Sequence, residues 1–476
     1  MRSDVVSGPT SAVGDPPVNG AVSFWHEALG GRPDARAALT DAPLRADVAI
    51  VGGGFTGLWC AYYLKQAQPD LDVVVLEKEF AGFGASGRNG GWMSAKLAGS
   101  RQRYAKTHGR SAVTRMERLM IEAVDEIIGV TCAEGIDADI VKSGLMHVAT
   151  NRAQFARLQE GVAADREWGK GEKDVRLLDA KETAERMRIP NAVGSMFSPH
   201  AARIHPAKLV RGLAEVVERL GVRIFENTPV TEILPRTAVT TRGVVHADVV
   251  LRCTEGFTAS IKGQRRVWLP MNSAMVITEP LDAAAWSTIG WSGHELLGDV
   301  AHGYTYAQHT ADGRVAIGGR GVPYRFGSRT DQDGRTQPRT VQQLVQALRK
   351  HFPAVPARAI EHTWCGVLGV PRDWCTTVGY DQATGVGYAG GYVGHGVTTT
   401  NLAARTLVDL ALGRDTELTR LPWVGRQVRR WEPEPLRWAG VHAVYGLYHL
   451  ADRLEDRGSA GTALPARIAD RITGRH

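Results

Sequence analysis

Val48 to Lys78 reads VAIVGGGFTGLWCAYYLKQAQPDLDVVVLEK, and the order of its parts decides the fold. Asp47 to Val51 is a short apolar run, Gly52, Gly54 and Gly57 complete G-x-G-x-x-G, Phe55 to Lys65 has helical spacing, and Val73 to Leu76 is a second strand closing on Glu77. This is a whole βαβ dinucleotide-binding unit. Gly52 permits the tight strand-to-helix turn, Gly54 lets the backbone approach a pyrophosphate, and Gly57 lets the helix lie close to the strand. The helix N-terminus, where Phe55 and Thr56 stand, offers free N–H groups and positive potential. Glu77 is placed to accept hydrogen bonds from an adenosine ribose, with Lys78 beside it, and an acid there argues against a 2′-phosphate.

A chain of 476 residues is long enough for two or three domains around a sizeable core. The net charge of +7 is spread through interleaved arginines and acids, and no recognition motif accompanies it, which argues against nucleic acid as a partner. Cys60, Cys132, Cys253, Cys365 and Cys375 are odd in number and lack C-x-x-C spacing, so neither a disulfide framework nor a metal site is expected, and a reducing, cytoplasmic setting fits. Residues 1–22 read as a mobile arm without the apolar core of a secretory signal. No apolar run approaches the roughly 20 residues of a membrane span.

Beyond the βαβ unit, Phe80 to Met93 is a glycine-rich loop, FAGFGASGRNGGWM. Arg101 to Glu134, Gln154 to Arg188, Pro206 to Leu220 and Thr340 to His351 have helical spacing, and Ser143 to Thr150 reads as a strand opening a second domain. Val244 to Thr254 reads as a hairpin ending in a buried strand. Trp268 to Thr278, Tyr304 to His309 and Arg314 to Gly318 suggest an antiparallel sheet. Gly385 to Ala389 is a strand, and GYVGHGVTTT from Gly391 leads into a helix to about Leu412. Nucleotide-domain and sheet segments alternate along the chain, so the two domains are interleaved. Leu436 to Leu454 repeats apolar residues at helical spacing. A helix packed on the body or on a second subunit is favoured over a membrane-surface helix, because its Arg and His residues lie among acids.

GGGFTG with LEK, then GFGASGRNGG, then GYVGHGVTTT ahead of a helix, resemble the D-amino-acid oxidase superfamily of FAD-dependent amine oxidoreductases, and within it the putrescine-type members. The resemblance covers about Ser23 to Val424. It implies an α/β fold with an antiparallel sheet: a Rossmann-like FAD-binding domain over 46–135, 185–265 and 360–424, a smaller substrate domain over 140–184 and 266–359, and a helical extension over 425–476. It also implies oxidation of a small-molecule amine or amino acid by hydride transfer from the carbon next to nitrogen to flavin N5. The product is an imine, then a carbonyl, with peroxide formed if oxygen is the acceptor. A flavin dehydrogenase with another acceptor, or an enzyme of a specialised biosynthetic route, is the alternative.

Gly84, Ala85, Ser86, Arg88, Asn89, Gly90 and Gly91 match the loop that the superfamily lays over ribityl and pyrophosphate, Arg88 being suited to neutralise phosphate charge. Val230 matches an adenine-contacting position, and Thr254 and Glu255 fall near the pyrophosphate. Gly391, Gly394, His395, Gly396, Val397 and Thr398 suit a helix N-terminus aimed at the reduced ring. Hydride transfer from a neutral amine needs little acid–base machinery, so the expected catalytic set is a wall: Trp92, Tyr304, Trp364 and His395, with Met93, Met271, Asn272, His302 and Tyr306 as further candidates. Cys365 lies near the place where sarcosine oxidases link a cysteine to the flavin, whereas the putrescine-type relatives carry no cysteine there; non-covalent FAD is the expectation and a Cys365 link the alternative. Ala316 takes the place of the oxygen-activating lysine of those oxidases, which keeps the choice of acceptor open.

Overall fold

The computed structural model describes residues 17–40, 43–319, 324–331, 333–356 and 359–473. Residues 1–16 of the expected arm lie outside that set. Its end is not an arm: Val18–Asn19 is a strand paired in parallel with His362 and Thr363.

Leu44–Val51 alternates in burial over its first half and is fully buried over its last four residues, as a strand entering a covered parallel sheet should be. It pairs in parallel with Val73–Leu76 on one side and Val244–Arg252 on the other. Among the described residues this sheet has eight strands, extended by Arg223–Phe225, by the hairpin Val230–Leu234/Thr237–Thr240, and by Thr377–Asp381 and Val386–Gly390. Phe55–Ala67 and Gly396–Ala411 pack together on it, with Leu58, Trp59, Leu402 and Leu407 in the core. The expected hairpin over 244–254 is a single strand; its antiparallel partner is Thr237–Thr240, and Gly243, at φ 151°, lies in the turn between them.

The second sheet has nine strands among the described residues, with Leu269–Thr278 and Ile360–Val370 paired along almost their whole lengths. It is mixed rather than wholly antiparallel, because Leu296–Asp299 runs parallel to Leu145–Ala149. Gly194–Ser198 and Ile360–Val370 belong to this sheet, so the boundaries expected at 185 and 360 are displaced. The helix expected over 154–188 is divided: Arg152–Glu167 ends before Gly169, at φ 90°, and Asp179 with Glu182 caps a separate Ala180–Arg186 helix after the short strand Arg176–Leu178.

The last segment folds back on the body as two helices, Leu436–Asp456 and Leu464–Thr473. None of the described helices is long and apolar enough to cross a membrane.

Candidate functional site

One cavity of about 830 Å³ reaches from the first glycine turn to the C-terminal helices. Gly52 stands at φ 106°, and a Cβ there would lie 2.7 Å from the Cys253 carbonyl oxygen. A Cβ on Gly57 would come within 2.0 Å of the Gly52 carbonyl oxygen, which is the close helix-to-strand approach the motif demands. Gly54 heads the helix without a side-chain cap of its own; Ser86 reaches over from the glycine-rich loop, its Oγ accepting from Phe55 N at 2.8 Å. Glu77 is fixed at the cavity wall by Gly53 N at 2.7 Å and Glu79 N at 3.0 Å, and burial raises its pKa. Two amide bonds leave its carboxylate lone pairs for a hydroxyl donor. Phe55, Thr56, Lys78, Gly84, Ala85, Asn89, Gly90, Val230 and Thr254 also line the cavity.

A second helix N-terminus meets the same space. Gly394, His395, Gly396 and Val397 line it, and His395 heads Gly396–Ala411 without a side-chain cap. First-turn amides left uncapped present donors and positive potential to an anionic group. Thr398 faces elsewhere: its buried Oγ1 has no partner among the described residues and it is not part of the wall. Gly391 is likewise behind the wall, its N–H donating to Glu255.

Glu255 ties this region together. Its carboxylate accepts from Gly369 N at 3.2 Å, Gly391 N at 2.8 Å and Tyr392 N at 3.2 Å, joining the long sheet strand to the late glycine segment. Burial, opposed by these amides and by Arg252, pushes its pKa up to about 7. Tyr392 OH in turn meets Thr56 Oγ1 at 3.0 Å, so both glycine motifs share one hydrogen-bonded frame.

Several expectations are corrected. Arg88 lines the cavity, and its guanidinium also donates to main-chain carbonyls, Nε to Phe83 O at 2.6 Å and Nη1 to Cys365 O and Asp331 O at 3.5 Å, while stacking on Phe83, so that it pins the loop to the sheet at the cavity wall. Gly91 serves the neighbouring sheet, a Cβ there meeting the Gln308 amide at 2.0 Å, whereas Gly90 stays in the lining with the Tyr306 ring 2.5 Å from an added Cβ. Trp364 is fully buried against Phe24 and Trp25, its Nε1 donating to Arg88 O, and does not reach the cavity. Met93 and Met271 are core residues, and Asn272 is also outside the lining; Ser273 takes that place.

Cys365 lies on the opposite face of its strand from Trp364, packed with Ile317 and Leu344, its Sγ donating to Arg335 O at 3.3 Å. Burial pushes the thiol up to about 11. A thiol kept protonated and turned from the cavity forms no flavin link. Acid precipitation is therefore expected to release all flavin from the wild type and from Cys365→Ser alike; flavin retained only by the wild-type pellet would contradict this placement.

Away from the glycine turn the cavity is walled by Trp92, Tyr304 and Tyr306, with His302 also in the lining. Trp92 Nε1 donates to Ala307 O, and its ring meets Tyr306 and His147 edge-on at 5.9 and 6.4 Å. Tyr306 OH and Ser273 Oγ are 2.9 Å apart. His147, Lys96, Arg157, Tyr448 and Asp470 also line the cavity and were not foreseen. His147 alone had a signal, a lone histidine in an apolar strand; burial and then Lys96 push its pKa down to about 3, so it is neutral. The C-terminal helices hold the 299–304 loop, Asp452 accepting from His302 N and Gly303 N and Glu455 meeting His302 Nε2 at 2.9 Å.

The donor set suits a flavin dinucleotide: two helix N-termini, the second without a side-chain cap, an acid at the second strand and an aromatic wall share one cavity. The family profile described as FAD dependent oxidoreductase matches residues 47–410. Gamma-glutamylputrescine oxidoreductase of Escherichia coli K12 is 30% identical over 426 residues, covering 86% of this chain and 94% of that protein. The fold is similar to glycine oxidase from Geobacillus kaustophilus, with a TM-score of 0.66 at 21% identity, covering 78% of this chain and 96% of that one. L-proline dehydrogenase from P. horikoshii gives 0.65 at 19% identity, covering 80% and 98%. The chain belongs to the D-amino-acid-oxidase-type family of FAD-dependent oxidoreductases.

Proposed function

We propose that the protein oxidises a small-molecule amine or amino acid at the carbon next to nitrogen, giving an imine that water converts to a carbonyl. Bound FAD supplies the hydride acceptor, at N5. The observation that carries this reading is the single cavity in which the two glycine motifs meet the wall of Trp92, Tyr304 and Tyr306. The helix headed by His395 offers positive potential to negative charge accumulating beside it. The aromatic wall excludes water and orients the amine, and neutral His147 adds no positive charge to repel a substrate cation. The name of the Escherichia coli relative favours amines of the putrescine class among the candidates.

Anaerobic mixing of the flavinated protein with polyamines, N-methyl amino acids, D- and L-amino acids and aromatic amines is expected to bleach the flavin band with one class. A flavin that none of them bleaches sinks the reading. Admitting air then separates an oxidase from a dehydrogenase. The second reading has its own support: Ala316 is buried among Phe24, Trp25 and Met275, so that position offers no cation to activate oxygen.

A further inference from the structure

The C-terminal helices sort their charges in a way the sequence conceals. All six carboxylates between residues 431 and 473 are engaged. Asp452 and Glu455 hold the 299–304 loop, and Asp456 meets Lys350 at 3.2 Å. Glu432 and Glu434 pair with Arg372 and Arg437, and Asp470 accepts from Tyr448 OH at 2.8 Å. The arginines are sorted the other way. Arg437 is buried, whereas Arg453, Arg457, Arg467 and Arg471 are exposed and form no ion pair among the described residues.

The apolar residues follow the arginines outward. Of eleven exposed large apolar side chains among the described residues, seven lie in these last two helices, among them Leu436 at 66%, Leu464 at 68% and Ile472 at 56% exposed. The helices already satisfy each other through Val444, Tyr448, Ala451, Ala466 and Ala469, so this second apolar face is surplus to their packing. Leu464, Ile468 and Ile472 stand four residues apart on one side of the last helix, flanked by Arg467 and Arg471. Leu450 and Leu454 continue the pattern on the preceding helix, with Arg453 and Arg457.

We propose that this outer face docks on an anionic lipid surface, the apolar residues entering the headgroup boundary and the arginines pairing with lipid phosphates. Charge complementarity selects this occupant. A two-fold contact between copies would set the face against itself and bring arginine against arginine, with no free carboxylate of the helices to answer. A nucleic acid would answer the arginines but not the leucines and isoleucines. The ground for disfavouring a membrane-surface helix, acids lying among the basic residues, does not apply to this face, because five of the six acids are at least partly buried and the exposed one, Asp456, is paired with Lys350.

The test is flotation of the intact flavinated protein with vesicles of phosphatidylcholine alone or mixed with phosphatidylglycerol. The protein is expected to float with the mixed vesicles, to lose that partition as salt is raised, and to stay behind with phosphatidylcholine alone. Arg467→Gln/Arg471→Gln is expected to weaken the partition about twenty-fivefold, each arginine near such a surface contributing about a factor of five. Ile468→Ser/Ile472→Ser tests the apolar part, with flavin absorbance and thermal unfolding reporting that both variants are folded. Absence of flotation at every composition, or flotation unchanged in both variants, overturns the proposal. So does a dimer in light scattering that Ile468→Ser/Ile472→Ser dissolves while no vesicle binding is seen, since the face then belongs to a second copy.

Discussion

Gly57→Ala is expected to yield a protein that folds poorly and retains little flavin. The added Cβ falls 2.0 Å from the Gly52 carbonyl oxygen and 3.1 Å from Ile50 Cγ2. Overpacking a filled interior costs about 1–3 kcal/mol when side chains can yield. Here the nearest neighbour is backbone held in the turn, so the helix itself has to withdraw, and the cost lies at or above the top of that range. The same withdrawal displaces the helix N-terminus from the cavity. The ratio of flavin to protein absorbance after gel filtration, with urea unfolding alongside, measures both effects; Gly161→Ala, at a helix position where an added Cβ meets nothing within 4 Å, is the control. A Gly57→Ala protein with full flavin and unchanged stability would show that the strand and helix are not in this close contact.

Glu255→Ala is expected to be nearly as damaging, for a different reason. It strips the acceptor from Gly369 N, Gly391 N and Tyr392 N at once. Each buried donor left unpaired costs about 1–3 kcal/mol, against a total stability of about 5–15 kcal/mol for a typical domain. Glu255→Gln keeps the shape and exposes the charge effect. Because the carboxyl rises from an ordinary 4.5 to about 7 on folding, the protonated form is the one the fold prefers. Its contribution is therefore fully present below about pH 4.5, declines as pH rises towards about 7, and is flat above; the full difference is about 3 kcal/mol. Unfolding free energy measured across that range should slope downward more steeply in the wild type than in Glu255→Gln. Parallel profiles would mean that Glu255 is ionised throughout.

The parts of the site legible from sequence are those whose geometry is short-range. A glycine turn, the helix after it and an acid at the next strand end lie within thirty-one residues, and their spacing alone places Gly52, Gly54, Gly57 and Glu77. Arg88 illustrates what is hidden. Its neighbours in sequence match a phosphate loop, yet two of its acceptors are the carbonyls of Asp331 and Cys365, 243 and 277 residues away. Trp364 and Cys365 show a second limit. A two-residue period puts them on opposite faces of a strand, but that both faces are covered, one by Phe24 and Trp25 and the other by Ile317 and Leu344, is decided by distant parts of the chain. The inward turn of Glu455 and Asp470 is hidden for the same reason, since helical spacing carries no label for the surface a helix will cover.

Interleaving has a consequence for how the protein is made. The strand Leu44–Val51 leaves the ribosome early, yet it pairs with Val244–Arg252, which itself waits for Val386–Gly390. At about 5–20 residues per second, the first glycine turn spends on the order of tens of seconds without its finished sheet. Val18–Asn19 waits for His362 and Thr363 over a comparable interval. A chain that ends before Val386 lacks a strand of the nucleotide-domain sheet, and such a fragment is expected to be cleaved faster in limited proteolysis than the full chain.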